Sequence, residues 1–218
     1  TMQVSISSRI LAAWFEHGLG LGRNCYDKRV PDLVWRAPDR AKRALLRGLW
    51  DGDGSWSAIN RSSSVILEYG TVSRSLADGM LRLLGDLGVV ASVRVGRCTK
   101  STVDTYWLRI SGADQVERAL FLVPEDEAAH IRVRHLGLQR RIKPTGYRKL
   151  SKNAAWVRVT SAERRPFDGT VYSLEVPASH TVVTSTGLIA HNCFPKDSAA
   201  LVKIAEDAGY DFDLLKGV

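Results

Sequence analysis

Leu46 to Gly54 read LRGLWDGDG, and the fold turns on this stretch. Gly48 and Gly52 lie four residues apart, so on a helix they share one face. Two such faces bring helix backbones into close contact, because no Cβ intervenes. Asp51 and Asp53 project from the base of that helix. A carboxylate there is a hard oxygen ligand for Mg²⁺, a cation able to activate water against a phosphodiester. An EF-hand calcium loop fits poorly, because it wants glycine and glutamate where Trp56 and Ser62 stand. On DGDG alone, a solvated helix end in a turn is the plain alternative.

Upstream, SRILAAWFEHG (residues 8–18) predicts an amphipathic helix stopped by Gly18. KRVPDLVWRAP is a short element bounded by Pro31 and Pro38. DRAKRALLRGLW predicts a helix with Asp39 as N-cap and Leu45, Leu46 and Leu49 on its apolar side. Downstream, SAIN and SVILEYGTVS read as strands. SRSLADGMLRLLGDLG is an amphipathic helix with Ser73 as cap and Gly88 as stop. Two strands follow, VVASVRVGR and DTYWLRISG, and then a short helix, DQVERALFLV, closed by Pro124. The order is helix, two strands, helix, two strands, helix. Alternation along DTYWLRIS puts Tyr106, Leu108 and Ile110 on one face and Trp107, Arg109 and Ser111 on the other.

LRGLWDGDG, with the VP element before it and TVSRSLADGMLRLLGDLG between strand pairs after it, resembles the LAGLIDADG homing endonuclease motif over roughly residues 8 to 124. The resemblance implies an α+β fold of type αββαββα whose strands saddle DNA in its major groove. It implies that the last acidic residue of the motif, here Asp53, binds a catalytic Mg²⁺. A basic residue near the metal is also common in the family. Lys100 is the lysine of the strand region and takes that part. Trp107 and Arg109, joined by Arg94, would then face DNA, although each taken singly also suits an ordinary solvated strand. Single-chain members of the family carry two such motifs, each supplying one carboxylate, and here there is one. The first half lies upstream of Thr1, or two chains pair, or the nuclease no longer cuts. The abrupt start favours a fragment of a longer precursor.

The bulk figures agree with this reading. A chain of 218 residues, 44% hydrophobic and 25% charged, suits one or two soluble domains with a core. No apolar run reaches the roughly 18 residues of a membrane span, so no membrane role is expected. Cys25, Cys98 and Cys193 form no paired framework and no zinc spacing, and a reducing cytoplasm is the expected compartment. The net charge of +8 and pI near 9.6 favour nucleic acid as a partner. From Cys193 onward three Lys face five Asp and Glu, a net of −2, so the preceding body carries +10. The basic body and the acidic tail read as separate units.

Beyond Pro124 the texture changes. Residues 125–154 are basic and irregular, a linker or an extra arm. Residues 155–192 are a series of short β runs separated by turns such as DG and PAS. Within them VYSLEV, then SHTVVTSTGLIAHNC, resemble the C-terminal splicing region of an intein, with Trp156–Ala162 as the preceding strand. The resemblance implies an all-β Hint domain and a self-processing reaction. The Asn192 side-chain amide attacks its own backbone carbonyl, closes a succinimide and breaks the bond to Cys193. His191 adjoins that carbonyl and can pass a proton to the leaving amine. Cys193 first accepts the upstream segment as a thioester. His180 matches the family's additional histidine. Ser173 stands where many inteins carry Asp, which bears on the central branching steps. The N-terminal splicing motifs are missing, so full splicing calls for an absent N-terminal intein half with its extein. Splicing itself needs no cofactor.

Residues 193–218, CFPKDSAALVKIAEDAGYDFDLLKGV, read as a short helical tail with a turn at Gly209. They resemble UDP-glucose 6-dehydrogenase around its catalytic cysteine. That implies a host protein in which, after ligation, Cys193 and Asp197 serve the active site and NAD is the cofactor. The expected domains are therefore 1–124 endonuclease repeat, 125–154 basic linker, 155–192 splicing region and 193–218 C-extein. The expected enzyme is a Mg²⁺-dependent homing endonuclease acting on double-stranded DNA, joined to splicing chemistry. The alternatives are a DNA-binding module that no longer cuts and an oxidoreductase. The chain lacks the GxGxxG fingerprint that the oxidoreductase would need.

Overall fold

In a computed structural model the described residues are 6–59, 64–97, 102–136, 146–151, 154–172, 174 and 176–191, with Lys203, Glu206, Asp207 and Gly209 in the tail. Lys100, Ser173, Asn192, Cys193 and Asp197 lie outside them.

LRGLWDGD, Leu46 to Asp53, forms the second half of helix α2, Asp39–Asp53. Pro38, not Asp39, is the N-cap, and Asp39 opens the first turn. Proline fixes φ and has no N–H to leave unsatisfied, so the chain enters the helix directly after it. The Asp39 carboxylate still meets the positive end of the helix dipole. At the other end Gly54 bonds its N–H to the Trp50 carbonyl and turns into extended backbone. The Trp50 ring occupies the space that a Gly54 Cβ would need, so only glycine fits this junction.

From Gly54 the chain builds a four-stranded antiparallel sheet in the order β1-β2-β4-β3: β1 Gly54–Ile59, β2 Ser64–Thr71, β3 Ser92–Gly96 and β4 Thr105–Ser111. Helix α3, Arg74–Asp86, crosses between β2 and β3, and α4, Ala113–Ala119, follows β4. This is the αββαββα order that the sequence implied. Ser73 caps α3 as expected, its Oγ accepting from Leu76 N at 3.2 Å, and Gly88 follows with φ +76°.

One face of the sheet is the core. Leu67 stands opposite Ile110, and Tyr69 opposite Leu108, and all four are buried. Leu46 and Trp50 of α2, Leu76, Met80, Leu83 and Leu84 of α3, and Val116 of α4 join the same cluster. Lys42 of α2 pairs with Asp86 at the end of α3, 3.0 Å apart. Full burial of each of these large apolar side chains is worth about 1.5–3 kcal/mol.

Three stretches differ from expectation. The N-terminal helix is shorter: α1 spans Arg9–Ala13 and a wider π turn runs from Trp14 to Gly18. A Cβ on Gly18 would stand 2.8 Å from Trp14 Cδ1, so the missing side chain lets the turn widen. None of its residues is buried, and Ile10, Trp14 and Phe15 are exposed.

The stretch expected to be irregular after Pro124 contains helix α5, Glu125–Arg134, which puts Ala128 and Ile131 into the core. Three acids in its first turn and two arginines in its last follow the helix dipole. Trp56 of β1 pins it by donating from Nε1 to Glu127 Oε2 at 2.6 Å. Strands β5 Tyr147–Lys149 and β6 Ala155–Val157 then pair, and Gln115 Nε2 donates to the Tyr147 hydroxyl at 3.0 Å.

The expected strands over 156–162 and 171–176 are the third difference. Only β6 covers part of the first, and none of the described residues of the second is in a strand. Val171, Tyr172 and Leu174 are exposed.

The chain divides into two compact units, residues 1–160 with 185–187, and residues 161–184 with 188–218. In the second, β7 Thr181–Val183 pairs antiparallel with β8 Ile189–His191. Lys203, Glu206 and Asp207 are helical, and Gly209 turns with φ +80°. Among the described residues no helix is long and apolar enough to cross a membrane.

Candidate nucleic-acid interface

Asp53 is the last residue of α2 and is exposed at the helix–strand junction. It borders a cleft of about 360 Å³ shared with Cys25, Lys28, Gly70, Thr71, Val72, Thr105 and Trp107. Its neighbour Tyr69 is 2% exposed, and the tyrosine pKa is pushed up to about 12. Burial is the main cause and the Asp53 charge adds to it. Tyr69 therefore stays a neutral phenol beside the carboxylate.

Asp51 is used differently. Arg47, one turn earlier, donates from Nε to Asp51 Oδ1 at 2.8 Å and from Nη1 to the Val123 carbonyl at 2.6 Å. That places Asp51 in a tie between α2 and the chain after Leu120–Leu122, while Asp53 borders the cleft.

Lys28 was not singled out in the sequence. It enters the cleft because Ser73, buried at the start of α3, donates from Oγ to the Lys28 carbonyl. The same serine thus caps a helix and anchors the loop that brings a cation to the carboxylate's cleft. The available signal was KRVP, where a lysine stands two residues before buried Val30.

The outward face of the sheet collects the three candidate DNA contacts. Arg94 of β3 stands opposite Trp107 of β4, and Arg109 lies two residues further along β4. Arg94 and Arg109 are exposed. Glu68 of β2, also missed in the sequence, stands opposite Arg109. Trp107 lies over Gly70 and reaches the cleft that Asp53 borders. One surface therefore carries two guanidinium groups and an indole, and leads to the cleft that Asp53 and Lys28 border.

Among the described residues no group of three His, Cys, Asp or Glu side chains converges on a metal position. Mg²⁺ commonly takes one or two carboxylates and fills the rest of its octahedron with water and phosphate oxygens. One exposed carboxylate, with no hydrogen bond from a described side chain, fits one half of such a centre.

In the second unit, His180 directly precedes β7 and has left-handed backbone, φ +47°. Thr181 pairs with His191, so the hairpin brings positions 180 and 191 to the same end. Antiparallel partners stand about 4.5–5.5 Å apart at Cα.

Residues 40–123, from α2 to the turn after α4, match the LAGLIDADG-like domain. An uncharacterized protein of Methanocaldococcus jannaschii is 38% identical over 213 residues, 98% of this chain and 24% of that protein. The ATP-dependent DNA helicase Hel308 of Thermococcus kodakarensis is 28% identical over 197 residues, 87% of this chain and 16% of the helicase. A DNA gyrase subunit of Mycobacterium gordonae is 34% identical over 100 residues, 46% of this chain and 17% of the gyrase protein. The chain spans at most about a quarter of the length of these curated relatives.

Proposed function

We propose that this chain is the C-terminal part of an intein in which a LAGLIDADG endonuclease repeat precedes the splicing end, with a UDP-glucose 6-dehydrogenase-like host segment from Cys193. The carrying observation is Asp53, exposed at the α2–β1 junction and bordering one cleft with Lys28 and Trp107. The substrate is double-stranded DNA laid on the outward sheet face, with Arg94, Trp107 and Arg109 in contact. Bound Mg²⁺ would offset phosphodiester charge and acidify a coordinated water. Asp53 is the metal-binding carboxylate. Lys28 is the cation nearest in role, able to hold a phosphate oxygen or a proton at its Nζ, and Lys100 is a second candidate. A partner repeat must supply the other carboxylate, and the exposed Gly48 and Gly52 face of α2 suits close helix contact.

The relatives support an inserted element. Stretches similar to this chain occur in a helicase and in a gyrase protein, two different hosts, each time as under a fifth of the whole. For splicing, the support is the ordered pattern from VYSLEV to His191-Asn192-Cys193, together with the β7–β8 hairpin. The Asn192 amide nitrogen bonds to its own carbonyl carbon, the peptide bond to Cys193 breaks, and the departing amine takes a proton through His191. His180 assists at the same end of the hairpin. The exposed Val171, Tyr172 and Leu174 favour an N-terminal β segment as partner.

The test is cleavage of a plasmid carrying the uninterrupted host gene, with Mg²⁺ and with EDTA. Metal-dependent cutting that disappears in Asp53→Ala and survives in Asp51→Ala supports the nuclease, because Arg47 already engages Asp51. Sequence-specific binding with no cutting by a full-length version that carries the partner repeat supports the other reading, a binding module. That reading is favoured by the single motif in this chain.

A further inference from the structure

Glu68 of β2 and Arg109 of β4 are direct cross-strand partners on the outward face. Arg109 Nε donates to Glu68 Oε1 at 2.8 Å, and Nη2 is 2.8 Å from the same oxygen. Both contacts use one edge of the guanidinium and one oxygen of the carboxylate. An arginine fork has five N–H bonds and a carboxylate two oxygens, so the Nη1–Nη2 end and Oε2 are left over. The two side chains are 43% and 28% exposed, and the same face carries Trp107 and Arg94.

As a stabilising device an exposed ion pair contributes little. Its geometric effect is larger. Free arginine has many rotamers, and holding its Nε–Nη2 edge on Glu68 leaves one oriented fork beside one acceptor oxygen. In the major groove guanine offers N7 and O6 to such a fork, and its partner cytosine offers the N4 amino group to a carboxylate. Adenine instead sets its N6 amino group against the fork, and thymine sets O4 against the carboxylate, so an A·T pair mismatches at both ends.

We infer that Glu68 and Arg109 act as one unit selecting a single G·C base pair, Arg109 on guanine and Glu68 on cytosine. Glu68 is also the positioning residue of Arg109. The inference rests on the reading of this sheet face as the DNA-contacting one.

The experiment is selection from a randomised duplex library by the chain, followed by sequencing of the bound pool. Wild type is compared with Arg109→Lys, which keeps the charge and loses the fork, and with Glu68→Gln, which keeps the shape and loses the charge. Thermal unfolding of each variant verifies that it is folded. The wild-type pool contains one G·C position at which other pairs are depleted about tenfold to a hundredfold. Arg109→Lys, whose ammonium still donates to guanine but has no fixed fork, weakens that preference and keeps the rest of the motif. Glu68→Gln admits A·T at the same position. A wild-type motif left unchanged at every position by both variants overturns the pairing while leaving DNA reading intact. A wild-type chain that enriches no motif overturns the DNA-contacting face and the pairing with it.

Discussion

The indole of Trp107 lies across Gly70, its direct partner on the neighbouring strand: a Cβ on Gly70 would stand 2.8 Å from Cζ3. No other residue leaves the ring room to lie there. Gly70→Ala therefore costs about 1–3 kcal/mol by overpacking and tilts the ring relative to the Asp53 cleft. With Trp107→Ala already in place the added methyl has space, and the same change costs little. A double-mutant cycle on thermal stability checks this, and simple additivity of the two changes would count against the contact.

Ser73 is fully buried and makes two bonds, one capping α3 and one holding the Lys28 carbonyl. Loss of a cap costs about 0.5–2 kcal/mol, and loss of the hydrogen bond to the Lys28 carbonyl about 0.5–1.5 kcal/mol. Ser73→Ala is expected to lower the melting temperature and, well below it, to slow metal-dependent DNA cutting because Lys28 is no longer anchored. Lys28→Ala is expected to slow cutting with the melting temperature nearly unchanged. Cutting by Ser73→Ala at the wild-type rate would separate the serine from the cleft.

Tyr69 gives a pH signature. Burial, with the Asp53 charge added, raises its pKa from 10.0 to about 12. Between those values the unfolded chain has lost the phenolic proton and the folded chain has kept it. Stability therefore falls as pH rises through this window, by about 1.4 kcal/mol per unit for one proton. The difference between wild type and Tyr69→Phe isolates this group from the other tyrosines and the lysines. Denaturant unfolding at pH 9 to 11 is the measurement, and parallel curves would show that Tyr69 titrates normally.

At the splicing end, intact-mass spectrometry of the purified chain, beside Asn192→Ala, follows release of a peptide beginning at Cys193. Release that the variant lacks is the expected outcome, with an N-terminal intein fragment added if the chain alone is silent. Persistent absence of release with that fragment present would sink the splicing proposal. His180 adds a second test. Its left-handed backbone favours glycine by about 1 kcal/mol, so His180→Gly is expected to keep the turn while slowing release.

Much of the first unit was legible because local rules and tertiary demands agree there. The 3.6 period of α2 and α3, the Ser73 cap and the alternation of Leu108 and Ile110 with Arg109 all survive into the structure. Asp39 was misplaced by one residue because a proline before it is an equally good entry to a helix. Helix α5 was missed because EDEAAHIRVR has almost no apolar face. It is held by Ile131, Ala128 and the Trp56–Glu127 bond rather than by periodicity. The strands over 156–176 were over-read, since apolar alternation states what a strand would bury but not whether a partner is present.

The sequence by itself determined the αββαββα order and the helix-end carboxylates, because each is written in residues close together along the chain. Only the tertiary structure decided which carboxylate borders the cleft, that Lys28 shares it, and that Glu68 faces Arg109. Those relations join residues 25 to 41 positions apart. Their distance in space is set by sheet register and helix packing, which the spacing of residues along the chain does not specify.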